Sequence, residues 1–581
     1  MPKLSSRLRG TDAEDRFTQG GGDGLDEEDG VGDEGEAEEP PGLLIQADVD
    51  SGAESEDEED DFHEAGDGQG ERGGGAADQG QEESEGEGEV EAVQNAVEEG
   101  SENAEEVAGA EQQLGDGGDA LRAQDSQGTQ PHPATQLPDP ATLPSLQEVH
   151  DVYIPTHRWP PKSVRPEYTR VLTSLWQQLA SNPGDVRLWV LEAIFQRVII
   201  PASQEKDHLG PGGHAPTSQG EQDGDHFSQV RKIKERLRRW QAGECGELWR
   251  EAVERFQPSE RPKRRGRKRA ARDSLELSQD QRNALRCKTF AQAGQYTRAV
   301  QALVSNGIAE CSPASLAEMQ SKHPAPLRPQ PPLPSTDTSA KAFSGSDVSK
   351  AALSFKKGSA AGPSGMRPEH LISVLKNNSA TLSEKALVAL TKLVNVMAKG
   401  RIPDQVAPFL CGARLHAGKK KDGGLRPIAV GNLLRRLVAK CFSSSLAPKA
   451  AELLKPHQLG VGVRGGAEAV AHAVSDAVGD DPSRWVLQND LINAYNQVDR
   501  GVVLEEVARH FPEMLEWAKT CYGSPSHLKF GNFTIPSATG LHQGDPLAGL
   551  LFCLALKLVV DAIKEEVPTL ALNAWYLDDG H

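Results

Sequence analysis

Aromatic residues are scarce in this chain, at 5% of 581 positions. Long apolar runs are lacking too. The longest, around Leu547–Leu556, is too short to cross a bilayer and is followed by Lys557, so a soluble protein with no membrane partner is expected. Cysteine is sparse, with seven residues (Cys245, Cys287, Cys311, Cys411, Cys441, Cys521 and Cys553). No two have the two-residue spacing of a zinc ribbon or knuckle, and an intracellular chain with reduced thiols is the simplest reading. The N-terminus lacks the apolar core of a signal peptide.

What is abundant is charge, unevenly spread. Residues 1–130 hold 41 acidic and 6 basic residues, a net of −35, and the remainder carries +12. Runs such as Glu54–Asp61 leave little apolar surface to bury, so residues 1–145 read as a disordered acidic, low-complexity region. The basic remainder suits a polyanionic partner, although an ordinary basic globular protein would have the same charge.

Four segments precede the expected body. Within 146–200, Trp189, Leu191, Ile194 and Phe195 have helical spacing and predict a small helical element. Residues 201–277 read as a linker with a charged helix, Gln229–Arg255, whose Ile233, Leu237 and Trp240 share one face. The linker ends in the basic run Lys263–Arg269, which reads as a nuclear import signal, a phosphate-binding arm or a solvated linker. Residues 278–323 read as helices: Ser278 with Gln281 makes a capping box, Gly294 and Gly307 are stops, and Ser312-Pro313 starts another helix. Pro324–Pro334 is a linker, and the body occupies 345–581.

The chemistry is carried by four elements. Trp485–Leu491 is a short apolar run in which a strand ending at Asp490 would present a carboxylate at a sheet edge. Tyr576-Leu577-Asp578-Asp579-Gly580 sets two carboxylates at a hairpin tip. Each alone is more often a cap or a solvated turn. Together they make sense, because two-metal phosphoryl transfer needs carboxylates bridging ions about 4 Å apart. Gly540–Leu547 is a Gly-rich turn whose Gln543-Gly544 lets backbone approach a base or sugar. Asp545 reads as N-cap and Pro546 as first turn of a helix to about Glu565. Lys419–Ile428 offers lysines on a turn and Arg426 on a strand, a grip for a triphosphate or simply solvated surface.

In this order the elements resemble the polymerase core of reverse transcriptases, especially those of non-LTR retrotransposons. Gly362-Pro363-Ser364-Gly365 with Pro368-Glu369-His370-Leu371 resembles that group's early fingers motif, and Arg426–Asn432 with Arg436–Lys440 its next. The resemblance implies an α+β fold, right-hand fingers and an antiparallel palm sheet backed by helices. It implies template-directed nucleotidyl transfer with two Mg2+ or Mn2+ ions, an RNA template, a DNA primer and deoxynucleoside triphosphates. Asp490, Asp578 and Asp579 fall on the catalytic, metal-binding aspartates, with the Leu491 carbonyl as a further ligand. Tyr495 falls on the sugar-selecting aromatic. Gln543 and Gly544 match the nucleotide- and template-contacting motif, and Lys420, Lys421 and Arg426 the triphosphate grip.

No endonuclease, RNase H or zinc-knuckle pattern is visible. The sequence ends at His581, so the expectation is a hairpin without its return strand, lacking later palm motifs and a thumb. Two rivals follow: an inert truncated remnant that at most binds nucleic acid, and an RNA-dependent RNA polymerase, against which Tyr495 argues. Location reads as nuclear or cytoplasmic.

Overall fold

The computed structural model describes residues 138–202, 219–256 and 278–581, apart from positions 293, 295, 330, 357 and 422. The chain divides into two units, and all described residues lie in the second, Asp50–His581. The basic run 263–269, residues 203–218 of the linker and residues 1–137 of the acidic head lie outside the described residues.

The predicted helical face at Trp189, Leu191, Ile194 and Phe195 lies on the helix Val186–Ile199, and all four are buried. The segment does not stand apart. Tyr168, Trp176 and Phe195 belong to the same hydrophobic core as Leu390, Leu437, Phe442, Leu504 and Leu551. One continuous core therefore joins residues 146–200 to the body, because the apolar stripes of these helices can be buried only against one another. The expected single helix Gln229–Arg255 is two helices, Gln219–Gln241 and Cys245–Phe256. Gly243 breaks it, with φ +88, which a side chain resists. The first of these helices also takes in residues 219–228, read from sequence as linker. Ile233, Leu237 and Trp240 are buried as their spacing requires.

The Ser278 box forms: Ser278 N–H donates to Gln281 Oε1 (2.9 Å) and Gln281 N–H to Ser278 Oγ (3.2 Å). Gly294 and Gly307 have φ +70 and +82, as their stop role demands. Ser312 caps the helix Pro313–Ser321. Beyond Gly307 the chain makes a strand, β1 (Ile308–Ala309), where sequence had suggested only helices.

Among the described residues there are two sheets. The first is built on the hairpin β2 (Ala413–Lys419) and β3 (Leu425–Gly431), in register from Ala413 opposite Gly431 to Lys419 opposite Leu425. The other edge of β2 pairs with β1 at Ala417 and Gly418, and in parallel with a later strand at Ala413 and Arg414. Ala413, Leu415, Ala417, Leu425 and Ala429 alternate into a small core with Met319 of the helix Pro313–Ser321. Asn432 then caps the long helix Leu433–Leu454, its Oδ1 accepting Leu434 N–H at 2.9 Å.

The second sheet is antiparallel and carries the acids. It comprises β4 (Asn489–Asp490), then, after the hairpin β5 (Ser526–Phe530) and β6 (Phe533–Ser537) of the first sheet, β7 (Trp575–Tyr576) and β8 (Asp579–Gly580), in the order β4-β8-β7. The expectation of a hairpin without a return strand is therefore wrong. Two residues, Asp579 and Gly580, suffice to return, because β8 is held on both sides. His581 adds reciprocal backbone bonds with Ala574, of 2.8 and 3.0 Å.

Candidate active site

The pairing of β4 with β8 sets Asp490 opposite Asp579. Asp578 stands beside them in the two-residue turn, within electrostatic reach of Asp490, while the strand partner of Asp490 is Asp579. Burial raises the Asp578 carboxyl above the usual carboxylate range, and the charges of Asp579 and Asp490 push it further, while Arg426 opposes them. Asp579 is raised likewise, by burial first and then by Asp490. Leu491, next along from Asp490, is partly exposed at 37%.

Mutual repulsion of this kind is what bound cations relieve. All-oxygen donors suit hard ions such as Mg2+ or Mn2+. Among the described residues no three carboxylate, imidazole or thiol groups form a ready-made metal cluster. An open triad fits an ion that draws several ligands from water and phosphate.

Removing one of these charges should stabilise the metal-free protein. The folded state favours protonated Asp578 relative to an ordinary value of 3.8, so its stabilising contribution is present in acid and lost as pH rises through the folded pKa. Asp578→Asn is therefore expected to melt above wild type at pH 7, with the gap closing as pH falls toward about 4. Equal midpoints across that range, measured in EDTA, would show that the acids do not repel one another.

Arg426 lies on β3, exposed, on the face opposite the small core and within electrostatic reach of Asp578. Lys420 and Lys421 occupy the exposed hairpin turn, closed by Lys420 N–H donating to Gly424 O at 2.8 Å. Tyr495 is on the short helix Ala494–Gln497 and stacks on Phe552 with centroids 4.8 Å apart. Burial pushes its hydroxyl well up, and the nearby acids Asp578 and Asp579 add to the effect, so the ring lies beside them. Its carbonyl accepts Leu541 N–H, which ties this turn to the Gly-rich segment.

That segment is also tied to the hairpin. Ala429 N–H donates to Gln543 O at 2.9 Å. Gly544 has φ +111, and a Cβ there would sit 2.7 Å from Ala429 O, so only glycine fits. The Gln543 Oε1 atom is buried without a hydrogen-bond partner.

Asp545 is not the expected helix cap. The helix begins at Ala548, with Leu547 at the cap position. The Asp545 carboxylate is engaged elsewhere: Oδ2 accepts from Arg435 (2.7 Å) and from the Tyr522 hydroxyl (2.6 Å), while Oδ1 accepts Leu547 N–H at 3.1 Å. Arg435 also donates to Cys411 O (2.5 Å) and to His542 Nδ1 (2.7 Å). Burial, reinforced by Arg435 and Arg500, keeps His542 neutral. Burial opposes the Arg435 charge, and Asp545, Tyr522 and the thiols of Cys521 and Cys411 together outweigh it.

Sequence reasoning missed this buried network beneath the Gln543-Gly544 turn. Its one visible sign was an arginine pair, Arg435-Arg436, inside an apolar helical run. Gln458, which bonds the acidic turn, was also missed. No curated protein matches the chain. Residues 418–580, which hold Arg426, Asp490, the Gln543-Gly544 turn and the Asp578-Asp579 hairpin, match the family model described as reverse transcriptase (RNA-dependent DNA polymerase), and the chain thus carries a reverse transcriptase domain over that stretch.

Proposed function

We propose that this domain extends a DNA primer on an RNA template by two-metal phosphoryl transfer, and that it derives from a retroelement of the non-LTR kind. The single observation that carries the catalytic reading is the register of Asp490 opposite Asp579, with Asp578 and Arg426 beside them. The fingers-type motif around Gly362–Gly365 supports the origin: Gly365 has φ +74, and its carbonyl accepts the Thr156 hydroxyl at 2.7 Å.

Asp490, Asp578 and Asp579, with the Leu491 carbonyl, would hold the divalent ions, which when bound would supply activation of the primer hydroxyl and charge stabilisation of the leaving pyrophosphate. Arg426 gives the triphosphate a fixed guanidinium, while Lys420 and Lys421 add mobile charges. Tyr495, backed by Phe552, sets a wall under the sugar that excludes a 2′-hydroxyl. Gln543 offers its amide and Gly544 its bare backbone to the incoming nucleotide and the template.

The test is primer extension by the purified chain on RNA with Mg2+ or Mn2+, beside an Asp578→Ala control. Extension abolished in the control supports the reading. Nucleic-acid binding without extension would favour an inert domain. Arg426→Ala is expected to raise KM for deoxynucleotides on the order of tenfold or more, because a charge-assisted phosphate contact is lost. Unchanged nucleotide dependence would remove Arg426 from the triphosphate site.

A further inference from the structure

Between Tyr576 and Asp578 the backbone takes a turn that leucine resists. Leu577 has φ +57, in the left-handed region, where a Cβ crowds the following carbonyl. Its side chain cannot readily be given up for glycine, since it is 1% exposed and lies against the helix Ala548–Glu566, near Gly549.

The backbone of this one residue is gripped from outside the hairpin. Leu577 N–H donates to Gln458 Oε1 at 2.8 Å, and Gln458 Nε2 donates to Leu577 O at 2.9 Å. Gln458 is 3% exposed, and its Oε1 is fixed in turn by Gly460 N–H at 2.9 Å. The segment around it runs along β7: Leu459 N–H donates to Trp575 O (2.8 Å) and Trp575 N–H to His457 O (2.7 Å). A Cβ at Gly460 would stand 2.6 Å from Leu577 N, so this approach requires glycine.

We propose that Gln458 is a positioning residue for the acidic hairpin: by clamping both backbone polar groups of Leu577 it holds the turn in its left-handed form and so fixes where Asp578 and Asp579 stand relative to Asp490. The leucine side chain anchors the turn in the core, and the glutamine offsets the conformation that anchoring imposes. This inference rests on the reading of the acids as a divalent-cation site.

The test is a double-mutant cycle in the full chain with Gln458→Met, Leu577→Gly and the pair. Glycine adopts the turn without a clamp, so it should make Gln458 dispensable. Mn2+ binding is read from the electron paramagnetic resonance of the free ion. Gln458→Met is expected to weaken binding about tenfold, the scale of a lost outer-shell contact. In the Leu577→Gly background the same change should cost less than about threefold. Equal losses in both backgrounds would mean that Gln458 only fills space, and would overturn the proposal, as would unchanged binding in Gln458→Met.

Amide hydrogen exchange of residues 573–581 gives a second readout that needs no metal. Exchange should quicken in Gln458→Met, and quicken less when glycine is at 577. If the wild-type chain neither binds Mn2+ nor extends primers, the polymerase reading fails, and exchange alone then decides the clamp. Protection that Gln458→Met leaves unchanged overturns it.

Discussion

Asp490→Asn is expected to lower template-directed deoxynucleotide incorporation on the order of 10²–10³-fold, without lowering the thermal midpoint. Asp490 stands at the edge of a three-stranded sheet, opposite Asp579, and its side chain supports no described core contact. Asparagine keeps the shape and removes the charge. What is lost is one preorganised anionic ligand, which matters most as charge develops in the transition state. Single-nucleotide extension, with dNTP and Mn2+ varied separately, measures the effect. The loss should appear mainly in the maximal rate and in the Mn2+ requirement. Retained extension would show that another group carries the metal.

Arg435→Leu is expected to destabilise the protein by about 3–5 kcal/mol, the scale of breaking a buried ion pair by removing one partner. Arg435 and Asp545 are 2% and 4% exposed and bonded at 2.7 Å. Without the guanidinium, Asp545 is a buried charge with only Tyr522 and Leu547 N–H to solvate it. Arg435→Leu with Asp545→Leu should recover much of the loss, because no orphaned charge remains. Denaturant unfolding of the three variants tests this. A double variant no more stable than Arg435→Leu would show that the network is held by its other bonds. The Gln543-Gly544 turn sits on this pair, so surviving Arg435→Leu protein should also use nucleotides poorly.

The elements bearing the acids were legible because their signals are local. Taken together, the carboxylate at Asp490 and the Tyr-Leu-Asp-Asp turn pointed to strand ends, although of the apolar run before Asp490 only Asn489-Asp490 is strand and Trp485, Val486 and Leu487 are exposed. The capping box at Ser278 and the cap at Ser312 were legible for the same reason. What escaped was set by contacts distant in sequence. Asp545 looked like a cap, and only the fold shows that Arg435, on another helix, claims its carboxylate. Gln458 had no local signal, since its partners are the backbone atoms of Leu577. The return strand was discounted because the sequence ends at His581, two residues after Asp579. Held between β4 and β7, Asp579 and Gly580 need no propensity of their own.

The β2–β3 hairpin has a mechanical consequence. A hairpin anchored only at its root could swing as a flap. This one is braced at both ends of β2: the parallel strand β5 holds Ala413 and Arg414, while β1 holds Ala417 and Gly418, and Lys419 N–H bonds Gly307 O at 3.0 Å. Among the described residues, the part of the hairpin beyond these braces is the turn that Lys420 and Gly424 close. Arg426 belongs to the stiff beam, so under the proposed function it would meet a triphosphate already in place. Lys420 and Lys421 ride on the turn, and the ordering entropy of such binding would fall on them.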